Sequence, residues 1–332
     1  RIEAAGCCGS DVHMWRGRDP RTPLPIILGH EGIGRIHEIG GEKTDLMGRP
    51  LKPGDRVMWE RGIMCGRCHT CVVLKQPALC PHRLTYGISV GCKDAPYFHG
   101  CYSEYIHLRQ NCHFIRIDSQ VDPAVLVQAS CSGATAAHTI QEARIKPGDT
   151  VVIQGAGPLG LFVLACAIRG GAAQAMVIAS SASRHRLDLA RQFGAAHVLV
   201  RDEMSTEQRL QFVKDHTHGR GADVVIECAG HPSAFAEGVK LVAPLGRYVM
   251  AGVSTPEGEV TLDPFYDLVR KNVQIQGVWV SDTSHLLRSI RMVEAGGFPF
   301  EKLIDHRCPL DQATTALELM RDRKVMKAVL VP

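Results

Sequence analysis

The chain has 332 residues, 45% hydrophobic and 22% charged, the balance of a folded globular protein with one large domain or two ordinary ones. Its 38 basic and 34 acidic residues leave a net charge of +4, too small and too evenly spread to favour binding to nucleic acid or a membrane surface. The longest apolar run, residues 159–168, is too short to cross a bilayer, and no export signal is visible. We therefore expect a cytoplasmic protein with neither a nucleic-acid nor a membrane partner.

Short segments broken by glycine, proline and turn-forming polar residues make up the chain as far as about residue 120. Residues 57–59 and 105–108 are predicted strands, and helical periodicity is scarce. The pattern changes at Asp122-Pro123, after which an apolar stretch to Ala143 predicts one helix. The first part of the chain is therefore expected to be β-rich and irregular.

Strands and helices then alternate. Strands are predicted at residues 151–154, 176–179, 198–200, 223–227, 247–252 and 273–280, and helices at 158–169, 184–193, 206–216 and 233–242. Alternation of this kind predicts a parallel sheet covered on both faces. Helices at 283–295 and 311–321 and a strand at 328–331 follow. The expected fold is α/β: a β-rich domain of residues 1–130 and 281–332, interrupted by a doubly wound parallel-sheet domain of residues 131–280.

Four cysteines have the spacing of metal ligands. Three of them are separated by two-residue gaps, and a fourth follows nine positions later, as Cys65, Cys68, Cys71 and Cys80. Three thiolates in a tight loop can turn toward one centre, and the fourth completes a tetrahedral set with no open position. We predict a structural zinc. A cluster of free thiols is disfavoured, because converging thiolates without a metal repel one another and oxidise.

A second, dispersed set consists of Cys8, His30 and Cys131. Two thiolates and one imidazole leave the fourth position of zinc to water or substrate, the arrangement of a catalytic zinc site. Taken singly, a cysteine usually packs in a core and a loop histidine is usually an ordinary polar residue. The dispersed set is predicted to bind a second zinc only because it occurs together with the other motifs. The sequence therefore predicts two zinc ions per chain.

A glycine-rich turn predicts a dinucleotide site. The sequence Gly155-Ala156-Gly157-Pro158-Leu159-Gly160 follows a predicted strand and begins a helix, the context that this motif requires. The first glycine makes the turn, and the second lets the backbone approach a pyrophosphate at the helix N-terminus. The predicted cofactor-binding residues are Gly155, Gly157, Pro158, Leu159, Gly160, Ser180, Ser181, Ser183, Arg184 and Ala229.

The end of the second strand of this domain lacks the acidic residue that binds the ribose of NAD. In its place stand Ser180, Ser181, Ser183 and Arg184. Hydroxyl groups and a cation suit a 2′-phosphate, so the sequence favours NADP over NAD. The alternative is that these residues only cap the next helix.

Together these motifs resemble the zinc-dependent medium-chain alcohol dehydrogenase family over nearly the whole chain. The resemblance is carried by CGSDVH at residues 8–13, GHE at 29–31, KPGDRV at 52–57, GCYSEY at 100–105 and the region from Pro309. It implies a GroES-like catalytic domain, a Rossmann domain and a homodimer or homotetramer. It also implies reversible oxidation of an alcohol to an aldehyde or ketone by hydride transfer to NAD(P).

The resemblance also implies a role for individual residues. Cys8, His30 and Cys131 would hold the catalytic zinc. Glu31 would lie beside the metal and assist ligand exchange. Asp11 would orient the His30 ring by a hydrogen bond and fix its tautomer.

Proton transfer is assigned by the same resemblance to Ser10 and His13. Zinc as a Lewis acid lowers the pKa of an alcohol. Ser10 would accept the alcohol proton, which would pass through the cofactor ribose to His13 and then to solvent. The spacing between Cys71 and Cys80 is one residue longer than is usual in the family. The chain also begins within a strand that the family reaches later, so an opening hairpin is expected to be absent.

The sequence disfavours three alternatives to this function. A zinc-free quinone or enoyl reductase would lack the seven candidate ligands. A zinc-binding structural protein, or one that binds nucleic acid or a protein partner, would be expected to show a basic and aromatic stripe, and none is present. An inactive cofactor-binding relative is disfavoured because Ser10, His13 and Glu31 are all in place.

Overall fold

The computed structural model describes residues 1–93 and 95–332, with the side chain of Ser183 left out. The chain forms two compact units. The first contains Arg1–Ala134, Ser281–Gly296 and Phe300–Pro332, and the second contains Thr135–Val280 and Gly297–Pro299. Among the described residues, no helix has both the length and the apolar composition needed to span a bilayer.

The strands within the described residues are given in chain order. They are β1 (Ile2–Gly6), β2 (Glu31–Arg35), β3 (Arg56–Trp59), β4 (Gly62–Ile63), β5 (Leu84–Thr85), β6 (Phe114–Arg116), β7 (Thr150–Gln154), β8 (Gln174–Ala179), β9 (His197–Val200), β10 (Ala222–Glu227), β11 (Val242–Met250), β12 (Gln274–Gly277), β13 (His306–Cys308) and β14 (Ala328–Leu330).

The α-helices are α1 (Gly9–Trp15), α2 (His69–Val72), α3 (Pro123–Leu126), α4 (Ser132–Ala143), α5 (Pro158–Arg169), α6 (Arg184–Gln192), α7 (Thr206–Asp215), α8 (Pro232–Leu241), α9 (Thr283–Glu294) and α10 (Ala313–Arg321). Short 3₁₀ turns occur at Pro77–Leu79, Val127–Ser130, Ser181–Ser183, Val269–Lys271, Phe300–Leu303 and Leu310–Gln312, and a π turn at Pro264–Leu268.

The first unit is built on a sheet with the strand order β13-β14-β1-β2-β3-β6. All of its pairings are antiparallel except that of β13 with β14. Its core contains Ile2, Val57, Trp59 and Tyr86. The short hairpin of β4 and β5 lies outside this sheet and encloses the loop that carries the four clustered cysteines.

The second unit is a parallel sheet with the strand order β12-β11-β10-β7-β8-β9. Counted from β7, this is the order 3-2-1-4-5-6 of doubly wound dinucleotide-binding sheets, so the predicted fold class is confirmed. The central strands β7, β8 and β10 are mostly apolar and buried, as expected where helices cover both faces. Val152, Met176, Val225 and Tyr248 are among the fully buried side chains.

Two predicted elements differ from the structure. Residues 105–108 do not form a strand in this described stretch; the His107 amide donates to the Phe98 oxygen at 2.9 Å, but no ladder continues from it. The helix predicted from Pro123 to Ala143 is interrupted. It consists of α3, a 3₁₀ turn and α4, with a break at Cys131, where φ is −123° and ψ is −77°. The buried Gln128 amide holds this turn by donating to the Phe300 oxygen at 3.2 Å.

Candidate active site

The loop between β1 and α1 is organised by Asp11, which lies in the first turn of α1 and is fully buried. Its Oδ2 accepts a hydrogen bond from the Cys8 amide at 2.8 Å, and its Oδ1 lies 3.1 Å from Nδ1 of His30. One carboxylate therefore fixes both the position of Cys8 and the orientation of the His30 ring. Nε2 of His30 is left to face the Cys131 sulfur. This arrangement is typical of a histidine metal ligand.

The structure brings the three dispersed residues together. The sulfurs of Cys8 and Cys131 are 3.9 Å apart, and Nε2 of His30 is 3.4 Å from the Cys131 sulfur. Two thiolates bound tetrahedrally at about 2.3 Å would be separated by about 3.8 Å, so the spacing fits zinc. One atom of Glu31 also lies within 4.8 Å of each of the other three donors. The break before α4 is what presents Cys131 to this group.

Burial and neighbouring charges shift the pKa values of Cys131 and His30 in this group. The hydrogen bond from Cys8 lowers the pKa of Cys131, and the Arg61 guanidinium contributes to the same shift. Burial alone would lower the pKa of His30, but the Asp11 carboxylate outweighs it and raises that pKa to about 10. A metal ion would replace the proton on His30, because only the neutral imidazole is a ligand.

Glu31 is held by Lys327, a residue that the sequence did not single out. The Lys327 ammonium contacts Oε1 and Oε2 of Glu31 at 2.7 and 2.5 Å, and both side chains are fully buried. Gly6 makes room for the carboxylate, since a Cβ there would lie 2.1 Å from Glu31 Oε2. Burial lowers the pKa of Lys327, but the Glu31 charge outweighs it and raises that pKa. No local pattern marks Lys327, because its partner lies 296 positions earlier.

Ser10 and His13 both lie on α1. The hydroxyl of Ser10 accepts a weak hydrogen bond from the Cys8 thiol at 3.9 Å, which places Ser10 beside the dispersed set. His13 follows about one turn later on the same helix and is half-buried. The position of these two residues on α1 does not test their predicted roles in proton transfer.

The four clustered cysteines converge in the loop between β4 and β5. The sulfur of Cys68 is 3.4 Å from that of Cys71 and 3.8 Å from that of Cys80, and Cys80 is 3.6 Å from Cys65. All four sulfurs lie within 4.8 Å of one another. The Thr70 hydroxyl is the largest influence lowering the pKa of Cys68, to about 6, which favours the thiolate that a metal requires. The extra residue before Cys80 is absorbed without moving it out of the set.

The glycine-rich turn of the second unit links β7 to α5. Gly155 has φ +110°, and a Cβ there would lie 3.0 Å from the Ala229 amide nitrogen. A Cβ on Gly160 would lie 2.0 Å from the Gly155 oxygen. Glycine is therefore required at both positions by the close approach of backbone segments. Pro158 occupies the first turn of α5, whose N-terminus, with Gly157 as its N-cap, is open to bind a phosphate.

The residues at the end of β8 include no carboxylate that could bind the cofactor ribose. The structure brings one from the segment after β9, the neighbouring strand. Oδ2 of Asp202 accepts hydrogen bonds from the Ser180 hydroxyl at 2.5 Å and from the amide and hydroxyl of Ser181 at 2.8 and 3.0 Å. These bonds, that of Ser180 first, lower the pKa of Asp202 to about 2. Since parallel strands end at the same sheet edge, the sequence after β9 could have identified Asp202.

Arg184 and Ser183 are the other predicted cofactor-binding residues of this segment. Arg184 forms an ion pair with Glu203, the residue after Asp202. The side chain of Ser183 lies outside the described part of the chain. The serine hydroxyls and Arg184 therefore have acidic partners, Asp202 and Glu203, that the sequence did not predict.

Comparison with known proteins matches each part of the chain to a family model. Residues 1–119 match the alcohol dehydrogenase GroES-like domain, and residues 158–295 match the zinc-binding dehydrogenase domain. The 5-exo-hydroxycamphor dehydrogenase of Pseudomonas putida is 35% identical, covering 99% of this chain and 90% of its own. The L-threonine 3-dehydrogenase of Bacillus subtilis is 32% identical, covering 100% and 90%.

Solved structures agree with these relatives. The alcohol dehydrogenase of Thermotoga maritima is 48% identical with a TM-score of 0.97, covering 100% of this chain and 90% of its own. A zinc-binding dehydrogenase of Sinorhizobium meliloti, bound to NADP, is 26% identical with a TM-score of 0.87, covering 100% and 91%. The chain therefore belongs to the zinc-dependent medium-chain alcohol dehydrogenase family and is an enzyme that interconverts an alcohol with an aldehyde or ketone.

Proposed function

We propose that this dehydrogenase holds two zinc ions, one catalytic and one structural. The observation that carries the proposal is the convergence of Cys8, His30 and Cys131, whose donor atoms have the spacing of a tetrahedral zinc site with one open position. The four cysteines of the loop between β4 and β5 would hold the second ion with no open position. Both donor sets fit zinc in ligand type and in separation.

The residues around the catalytic set have distinct tasks in this proposal. When bound, zinc supplies Lewis acidity that lowers the pKa of the alcohol. Asp11 keeps the His30 ring oriented, and Glu31 stands ready to assist ligand exchange while Lys327 restrains it. Ser10 accepts the alcohol proton and His13 releases it to solvent. The contact between Cys8 and Ser10 supports the first of these two steps.

We propose NADP as the preferred cofactor, bound at Gly155, Gly157, Pro158, Leu159, Gly160 and Ala229 and at the serine segment. The hydroxyls of Ser180 and Ser181 bind the Asp202 carboxylate and Arg184 pairs with Glu203, so the donors of this segment already bind anionic groups. The 2′-phosphate would take the place of the Asp202 carboxylate. The Sinorhizobium meliloti relative is bound to NADP, which agrees with this choice.

Asp202→Asn should tighten NADPH binding about five- to tenfold and change NADH binding by less than about twofold, because a carboxylate that competes with the 2′-phosphate is removed. Fluorescence titration of each reduced cofactor measures both dissociation constants. Ser181→Asp is the opposite variant and should shift preference toward NAD. If neither variant changes the ratio of the two constants, the serine segment only caps α6.

The assembly and location are also proposed. A homodimer or homotetramer is supported by the exposed edge strand β12 and by the exposed side chains of Phe265, Tyr266 and Val269 in the same unit. A cytoplasmic location is supported by the thirteen cysteines, all of which are free thiols in the structure, as expected in a reducing compartment.

The first experiment is elemental analysis of protein purified without chelator, followed by assays on a panel of alcohols with NAD and NADP. Two zincs per chain and oxidation of at least one alcohol are expected. One zinc per chain would mean that the dispersed set does not bind metal, and the assigned catalytic roles would fall with it.

A further inference from the structure

Glu227 is a buried carboxylate to which the roles above assign no task. It is the last residue of β10 in the second unit and is fully buried. Its Oε1 accepts hydrogen bonds from the Ala229 amide at 2.6 Å and from the Gly230 amide at 2.5 Å. Its Oε2 accepts one from the Gly252 amide at 3.2 Å. The carboxylate is therefore held by the backbone amides of two separate loops.

These two loops follow neighbouring strands. Residues 228–230 come after β10, and residues 251–252 come after β11, which pairs with β10 in parallel. The loops lie against each other, since a Cβ added to Gly252 would be 2.6 Å from the Gly230 amide nitrogen. Burying a carboxylate is costly unless hydrogen bonds satisfy it. The Glu227 side chain and the two loops therefore hold one another in place.

The first of these loops also packs against the glycine-rich turn. A Cβ added to Gly155 would lie 2.9 Å from the carbonyl carbon of Cys228. The strand that precedes this turn, β7, pairs with β10 in parallel, so the turn and both loops lie at the same edge of the sheet. Ligands of doubly wound sheets bind at this edge. Glu227 therefore fixes two loops beside the turn proposed to bind the pyrophosphate.

The position of Glu227 in the sheet indicates which part of the cofactor these loops would face. A sheet of this kind consists of two mononucleotide-binding halves, with strand orders 3-2-1 and 4-5-6. The serine segment proposed to bind the 2′-phosphate follows β8, so the adenosine half of the cofactor belongs to β7, β8 and β9. The nicotinamide half then belongs to β10, β11 and β12, the half whose loops Glu227 holds.

We propose that Glu227 is a positioning residue for the nicotinamide half of the cofactor. By holding residues 228–230 and 251–252 together, it gives that half a preformed binding surface. Less of the binding free energy is then spent on ordering the loops. The inference rests on the cofactor site proposed above, and it assigns Glu227 no direct contact with the cofactor.

The test compares two ligands of the full-length enzyme: NADPH, and adenosine 2′,5′-bisphosphate, which lacks the nicotinamide half. In Glu227→Gln, one carboxylate oxygen becomes an NH₂ group, which cannot accept a bond from a backbone amide. The Kd of NADPH should rise about tenfold, and that of the bisphosphate should change by less than about twofold. Fluorescence titration measures the first constant, and isothermal titration calorimetry measures the second.

Glu237→Gln is the matched control. Glu237 is another buried glutamate of the same unit, but its carboxylate binds Arg209 of α7 instead of a loop at the sheet edge. This variant should leave both dissociation constants unchanged. Glu227→Asp keeps the charge but is too short to reach both loops, so it should also raise the Kd of NADPH. It carries the comparison if melting curves show that Glu227→Gln is not folded.

Two results would overturn the proposal: unchanged NADPH binding in a folded Glu227 variant, or equal weakening of both ligands, which would mean that Glu227 only supports the fold. An unmodified enzyme that prefers NADH would instead overturn the choice of NADP alone. The same comparison, made with NADH and ADP, would then test Glu227.

Discussion

Cys131→Ser is expected to leave one zinc per chain and to lower kcat/KM for alcohol oxidation by about a thousandfold or more. Cys131 lies 3.9 Å from the Cys8 sulfur and 3.4 Å from Nε2 of His30, so it completes the open donor set. A serine hydroxyl is protonated near neutral pH and is a poor zinc ligand. Loss of the Lewis acid removes several kcal/mol of stabilisation from the transition state, which is the source of the expected factor.

Elemental analysis and steady-state kinetics of the same preparation measure this effect. Cys166→Ser is the control, because Cys166 is a free cysteine of α5 in the other unit and should keep two zincs and full activity. The structural set contains no atom of Cys131, so the remaining zinc should stay bound. A Cys131→Ser enzyme with two zincs and normal kcat/KM would remove Cys131 from the site.

Lys327→Met is expected to lower the free energy of unfolding by about 3–5 kcal/mol, because it leaves the Glu31 carboxylate buried without its cation. Lys327 and Glu31 are fully buried and in direct contact at 2.5 and 2.7 Å. The Glu31 carboxylate packs directly against the backbone of Gly6, where an added Cβ would lie 2.1 Å from Oε2. Urea unfolding at a fixed pH and zinc concentration measures the change.

The double variant Glu31→Gln with Lys327→Met separates pairing from packing. Removing both charges should restore much of the lost stability, since replacing a whole buried ion pair costs far less than breaking it. The double-mutant cycle should therefore show a coupling energy well above that of an exposed pair. Additive effects of the two single changes would mean that Lys327 acts through packing alone.

Patterns within short segments of the sequence correctly predicted several elements of the fold. The helix predicted at residues 158–169 has those bounds in the structure as α5. The alternation of strands and helices predicted the parallel sheet, and the cysteine spacing predicted a cluster whose sulfurs do converge. Each of these depends on periodicity or on spacing within a few dozen residues, which local sequence reports directly.

Other features depended on packing between distant segments. The helix predicted through Cys131 is broken because the preceding turn is held by Gln128 bonding to Phe300, 172 positions away. Asp202 reaches the serine segment only because β8 and β9 are neighbours in the sheet.

The sequence by itself determined the family, the two-part fold and the candidate metal ligands and nucleotide-binding turn, because motif spacing and hydrophobic period are properties of the chain alone. The tertiary structure decided which charges meet. Glu31 is paired with Lys327 across 296 positions. Such contacts join residues from separate strands and loops, and no local pattern encodes them, because they are set by how the packed sheet brings its segments together.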